Sequence, residues 1–206
     1  MTKDDGQDYL IPYQRAAALH GAEFESLLWA SPQTQAARFD AFGRLWRFKG
    51  QSVLDVGCGR ADFLEFLVGR GMPPADYVGI EAVAELADAA EQKLAGSGVR
   101  STLLRADFVR EPARMFVGAD VIVFSGALNT LPDENFYQTL RLAWDATASS
   151  VLFNFLDSPA LAAARYLHWR RPAEVLAFAR GLAEDRVRSL HDYLEGDYTI
   201  EMKKKC

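Results

Sequence analysis

Asp55, Gly57 and Gly59 carry the clearest chemistry in the chain. They lie in VLDVGCGRADF, where a short apolar run ends in a carboxylate and passes straight into a glycine turn. In an open α/β sheet, ligands bind beyond the carboxyl ends of the strands. Gly57 and Gly59 let the backbone turn tightly and approach a ligand with no Cβ in between. The helix expected next offers free N–H groups at its start. A dinucleotide fingerprint needs a third glycine at position 62, which is Asp62. A triphosphate loop needs Gly-Lys-Ser/Thr, and none follows. A carboxylate at the strand tip also repels a pyrophosphate seated at the same turn. The pattern therefore calls for positive charge on the ligand at Asp55. The competing reading is a tight turn with no ligand, set against the cost of keeping a buried Asp idle.

S-adenosylmethionine meets that requirement, because it carries an ammonium, a carboxylate and a sulfonium and no phosphate. Asp55 would hold the ammonium, directly or through water, and the helix N–H groups would receive the carboxylate. Glu81, in YVGIEAV, is placed to accept both ribose hydroxyls, about 20 residues past the glycines. Alternatively, it serves the dipole at the start of a helix. The stretch resembles the first motif of the class I methyltransferases, D/E-x-G-x-G-x-G, with Ala61 at the last glycine position. That resemblance implies that Asp107, in LLRADFV, accepts the adenine amino group with Phe108 against the ring; a plain Asx turn is the alternative. It also implies Ser125 and Gly126 beneath the sulfonium, Cys58 and Ala82 among the cofactor contacts, and an Ala61 methyl that narrows the space over the methionine part. Family members acting on nucleic-acid amines often carry Asn/Asp-Pro-Pro-aromatic after the fourth strand. This chain has Ser125-Gly126-Ala127-Leu128, so a nucleic-acid acceptor is not expected. Asn129 reads as a helix cap or a substrate contact. Residues 29–39, 125–129 and 191–200 resemble a bacterial subset of the family with no assigned substrate. Within the first of these, Arg38 either reaches the cofactor carboxylate as a fork of donors or is a solvated helix arginine.

These residues need a scaffold, and the periodicity supplies one. Residues 9–49 read as helical, punctuated by Gly21 and Pro32, with Ser31 as an N-cap and Pro32 at the first helical position. Strands are expected at 52–56, 77–80, 100–104, 120–124 and 151–155. Helices are expected at 62–69, through AVAELADAAEQKLAG, at 135–147 and over most of 160–182, with Pro172 interrupting the last. The end reads as two strands joined by a turn around Glu195-Gly196-Asp197. Such alternation implies a doubly wound α/β fold, a mostly parallel seven-stranded sheet with a C-terminal antiparallel hairpin. The expected organisation is a helical extension or lid over 1–50 and one cofactor-binding unit over 51–206.

The 206 residues suit one domain, and the net charge of −5 gives no whole-protein attraction to phosphate backbones or anionic lipid. Cys58 and Cys206 offer neither metal spacing nor a disulfide framework, so no metal and a reducing, cytoplasmic setting are expected. The polar, acidic N-terminus does not read as a signal peptide, and no apolar run approaches membrane-spanning length. His20, His168 and His191 have no metal-ligand partners at useful spacing, and none stands out as a catalytic base. Tyr9, Tyr13, Phe24 and Trp29 form an aromatic lid or face the core. Arg165, Arg170, Arg171 and Arg180 guide an anionic substrate or form a solvated helix face. The expected activity is methyl transfer from S-adenosylmethionine, leaving S-adenosylhomocysteine, to a small-molecule acceptor; the catalytic residues and oligomeric state stay open. A non-catalytic binding scaffold and a nicotinamide-dependent oxidoreductase are the alternatives.

Overall fold

The computed structural model describes residues 9–205, so Cys206 and the acidic leader lie outside the described residues. Seven strands form one sheet: β1 (Ser52–Val56), β2 (Asp76–Glu81), β3 (Arg100–Arg105), β4 (Val121–Phe124), β5 (Ser150–Leu156), β6 (Val187–Leu190) and β7 (Asp197–Lys203). Their order across the sheet is β3-β2-β1-β4-β5-β7-β6. β1 to β5 run parallel, and β7 is antiparallel to both neighbours, β5 and β6. The expected doubly wound sheet and terminal hairpin are therefore both present, with β7 wedged between β5 and β6.

Helices α1 (Ile11–His20) and α2 (Pro32–Leu45) precede the sheet, and α3 (Asp62–Gly69), α4 (Ala84–Gly96), α5 (Asp133–Ala146) and α6 (Pro172–Ala183) connect it. Parallel neighbours cannot be joined by tight turns, so these crossovers are obligatory. The chain builds outward from β1 through β2 to β3, then returns to place β4 on the other side of β1. That reversal opens a crevice above the ends of β1 and β4.

Alternation along each strand sends side chains to opposite faces. Leu54, Val56, Ile122, Phe124, Phe153 and Phe155 join the core beneath α5 and α6. Val53, Val121, Val123 and Leu152 join Phe42, Phe63 and Leu67 beneath α2 and α3. Phe63 is the hub of that second face, with Phe39, Phe42 and Phe48 ring centroids 5.1–5.8 Å away. A third, smaller cluster of Ala17, Leu27, Val83 and Leu86 packs the N-terminal helical segment against the start of α4.

α2 starts as its sequence predicts. The Ser31 side chain accepts from Thr34 N–H, Thr34 Oγ1 accepts from Ser31 N–H, and Pro32 takes the first turn. The expectation of a helix through 160–182 with Pro172 interrupting it is corrected. Residues 157–171 make turns and a single β-bridge, Leu156 to Trp169, and Pro172 starts α6. Proline fits a first helical turn because its missing N–H would have no intrahelical partner there. The basic stretch is accordingly no single solvated face. Arg170 is buried, stacks 3.8 Å from the Phe136 ring centroid and donates to the Leu131 carbonyl at 2.6 Å.

Candidate active site

β1 delivers Asp55 to the crevice, and the next three residues fold the chain back over it. Gly57 takes φ +71° and Gly59 φ +56°, conformations that favour glycine. Space matters as much as the angle. A Cβ on Gly57 would lie 2.5 Å from the Ala127 Cβ, and one on Gly59 would lie 2.7 Å from Leu27 Cδ2. The turn is thus pressed between the segment after β4 and the N-terminal helical segment. Ala61 also adopts a left-handed conformation, φ +57°, at the start of α3. Its methyl is fully buried in the Phe63 core. The expected narrowing over the methionine part is corrected: the departure from glycine costs backbone conformation, and the methyl packs inward.

The Asp55 carboxylate borders the cleft and accepts from the Tyr77 hydroxyl. Register explains the pair. Asp55 lies opposite Gly79 on β2, and Tyr77, two residues earlier on the same face, reaches across diagonally. Gly79 leaves the space into which Cys58 Sγ fits, 2.7 Å from where a Cβ would stand. Burial pushes the Asp55 pKa up to about 7, helped by the nearby Glu81 charge and opposed by the Tyr77 hydrogen bond. Burial likewise raises Glu81 to about 7, against three backbone hydrogen bonds that favour its charge. Those bonds are specific: Glu81 Oε2 accepts from Gly59 N–H at 2.9 Å, and Oε1 from Ala82 and Val83 N–H at 2.9 and 2.8 Å. Glu81 thus ties the glycine turn to the loop before α4. Oε2, with a single bond made, retains acceptor capacity for a ligand hydroxyl.

Asp107, two residues beyond β3, makes the Asx turn that the sequence offered as one reading, accepting from Val109 N–H at 3.0 Å and Arg110 N–H at 3.3 Å. It borders the cleft as well. The Tyr9 hydroxyl reaches both of its oxygens, at 2.8 and 2.7 Å, and burial raises the Tyr9 pKa. Phe108 packs edge-on against Phe124, 6.1 Å between centroids. Together these elements line one cleft. All ten expected cofactor contacts, Asp55, Gly57, Cys58, Gly59, Glu81, Ala82, Asp107, Phe108, Ser125 and Arg38, line it.

Arg38 is not the solvated helix arginine that one reading expected. It is buried and bonded to Asp197, with Nε at 2.6 Å, and its guanidinium lies 4.5 Å from the Trp29 ring centroid. Tyr193 donates to the other oxygen of the same carboxylate. Arg38 therefore fastens α2 to β7 at the cleft wall. Asn129 is no helix cap: α5 follows Pro132 with no side-chain cap, and Asn129 is buried on the cleft wall instead. His191 stacks on Tyr198, 5.3 Å between centroids. Among the described residues, no group of His, Cys, Asp and Glu is placed to hold a metal ion. No helix among them is long and apolar enough to cross a membrane.

Residues 53–150 match the family model described as "Methyltransferase domain". The chain has the class I S-adenosylmethionine-dependent methyltransferase fold. Its methyltransferase sheet superposes on solved structures of low sequence identity. A DhpI-SAM-HEP complex is 16% identical with a TM-score of 0.70, over 98% of each chain. Magnesium protoporphyrin IX methyltransferase (ChlM) from Synechocystis PCC 6803 with bound SAM is 14% identical with a TM-score of 0.59, over 100% of this chain and 86% of that one. A SAM-dependent methyltransferase from Archaeoglobus fulgidus is 18% identical with a TM-score of 0.63, over 84% and 95%. No curated protein matches the chain.

The position of each acid in this methyltransferase fold was legible, but its partner was not. Tyr77, Tyr9 and Asp197 are the residues that sequence reasoning missed as holders of Asp55, Asp107 and Arg38. For Tyr77 a signal exists: a tyrosine two positions before a glycine on the strand beside an acid-tipped strand. Nothing in the sequence pairs Arg38 with a residue 159 positions away.

Proposed function

We propose that this chain transfers the methyl group of S-adenosylmethionine to a small-molecule acceptor. The observation that carries the reading is the row of three acids, Asp55, Glu81 and Asp107, at or just beyond the ends of neighbouring strands β1, β2 and β3, all on one cleft. Such a row suits a ligand with an ammonium, a ribose and an exocyclic amine, in that order. The glycine turn borders the same cleft, with no Cβ at Gly57 or Gly59 to stand between its backbone and the ligand. S-adenosylmethionine is the cofactor, and its bound sulfonium supplies an activated methyl on a good leaving group.

The protein's own work is alignment and exclusion of water. Asp55 holds the ammonium, Glu81 the ribose hydroxyls and Asp107 the adenine amine, while Gly57, Cys58, Gly59 and Ala82 shape the backbone cradle. Phe108 lies along the adenine, and Ser125 stands at the β4 side, where the methyl points. Residues 1–50 act as a lid on a single unit spanning 51–206, with Tyr9, Tyr13 and Trp29 over the cleft. The overall negative charge argues for a small acceptor in place of a nucleic acid, and the free, buried Cys58 suits a reducing cytoplasm. A nicotinamide dinucleotide would set its diphosphate against Asp55 and Asp62, which disfavours oxidoreductase chemistry.

Calorimetric titration tests the reading directly. S-adenosylhomocysteine should bind and raise the melting temperature, and NAD should do neither. Stabilisation by NAD alone overturns it, and S-adenosylhomocysteine binding without any label transfer from methyl-labelled cofactor to a metabolite extract leaves a binding scaffold.

A further inference from the structure

The cleft has two ends, and only one is used up by the acids. β1 lies between β2 and β4, so Glu81 marks one side of the glycine turn and the segment 125–130 marks the other. The close approach of Gly57 to Ala127 fixes that segment against the turn. Two polar atoms there, Ser125 Oγ and Asn129 Oδ1, are buried and have no hydrogen-bond partner among the described residues. Asn129 is itself only 6% exposed. Buried polar atoms are nearly always satisfied, because leaving one bare forfeits its hydrogen bonds to water without replacement. Both residues line the cleft, so a ligand is the natural partner.

The surroundings narrow that ligand. The walls at this end are Trp29, whose ring would lie 3.0 Å from a Cβ on Gly126, together with Tyr13 and Leu167. These are flat or apolar surfaces. The cation present, Arg38, is engaged by Asp197. Tyr13 is held protonated by burial. His168 is tied by its backbone N–H to the Asn129 carbonyl at 2.8 Å, and it is not among the residues that line the cleft. Neither an amide nor a serine hydroxyl is basic enough to strip a proton from an acceptor before transfer.

We infer that the methyl acceptor is an uncharged exocyclic amine nitrogen bearing N–H on a small aromatic or heteroaromatic molecule, oriented by Asn129 Oδ1 and Ser125 Oγ. This rests on the methyl-transfer reading above. Asn129 Oδ1 accepts the N–H, which turns the nitrogen lone pair toward the methyl group. The lone pair forms the N–CH3 bond while the S–CH3 bond breaks, and the electron pair of that bond stays on sulfur as the neutral thioether. The nitrogen gains the positive charge and afterwards releases its proton to water, so no base is required in advance. The aromatic body lies against Trp29 and Tyr13.

The test uses the whole chain with methyl-labelled S-adenosylmethionine and four probes: N-methylaniline, aniline, phenol and benzoate. Label is expected in N-methylaniline or aniline and in neither oxygen compound. Asn129→Leu, which keeps the volume and removes the acceptor, should lower that transfer roughly tenfold to hundredfold, the range for one buried hydrogen bond left unmade. Its S-adenosylhomocysteine affinity should stay within about threefold and its melting temperature should show it folded; Ser125→Ala, at a residue that also borders the cofactor, should lower the transfer as well, and for it only the transfer is read. Labelling of phenol or benzoate alone, labelling of none of the four, or full activity of both variants overturns the inference. The S-adenosylhomocysteine titration of the parent protein separates this failure from failure of the cofactor reading, since only the latter abolishes binding.

Discussion

Replacing Asp55 by Asn should make the protein sturdier and its cofactor site worse. The carboxylate is 2% exposed, and burial lifts its pKa from 3.8 to about 7. That rise corresponds to roughly 4 kcal/mol opposing ionisation in the fold. The sign follows from proton binding. Between about pH 4 and pH 7 the folded chain holds a proton that the unfolded chain has released, so stability falls as pH rises through that window. At pH 8 the wild type carries the whole penalty, and Asn carries none while still accepting from Tyr77. Allowing for relaxation, a gain of about 2 kcal/mol is expected, or a melting temperature higher by roughly 4–8 °C at pH 8. At pH 4 the gap should close. Cofactor binding should move the other way, because the ammonium loses its charged partner. Truncating one member of a buried pair costs about 2–5 kcal/mol, which at the middle of the range is a dissociation constant several hundredfold higher. Thermal melts at pH 4 and 8, with S-adenosylhomocysteine titrations at pH 8, provide the readout. An Asn variant that melts at or below the wild type at pH 8, or binds the ligand as tightly, refutes the reasoning.

Other perturbations probe the turn and the wall. Gly57→Ala should abolish S-adenosylhomocysteine binding in calorimetry, since its Cβ would stand 2.5 Å from Ala127 in a left-handed conformation. Ala61→Gly should change stability by less than about 1 kcal/mol, because relief of the left-handed strain offsets loss of the buried methyl, whereas Ala61→Val should cost about 2–3 kcal/mol in chemical denaturation. Arg38→Met leaves Asp197 buried without its cation and should destabilise by about 3–5 kcal/mol, with Asp197→Asn in the same chain recovering most of it in a double-mutant cycle. Glu81→Gln would point an amide N–H₂ at the N–H of Gly59 or of Ala82 and Val83, so ligand affinity should drop at least about 100-fold across the neutral pH range.

Where local chemistry decided the structure, the sequence revealed it. The strand cores, the Ser31–Pro32 helix start and the glycine turn each depend on neighbours within a few positions. The acids at the strand ends followed because strand-helix alternation fixes where the ends must lie. Pro172 was misread because proline has two local meanings, and only the tertiary course of 157–171 selects between them. Ala61 was misread because its backbone angle, and not the size of its side chain, decides where the methyl goes. Asn129 looked like a cap since asparagine caps helices well; its solitude inside the cleft is a property of everything around it. Arg38 and Asp197 meet only because β7 returns to the interior of the sheet.

That return has a consequence for how the molecule comes into being. During synthesis β6 appears first and finds no neighbour, for the place beside β5 is reserved for a strand not yet made. Until residues 197–203 arrive, β5 keeps a bare margin along residues that the finished fold buries throughout, and the newborn chain is at its stickiest. Shortening the chain by those few residues would therefore unfasten two strands, not one, and would turn a self-contained sheet into a template for its own copies.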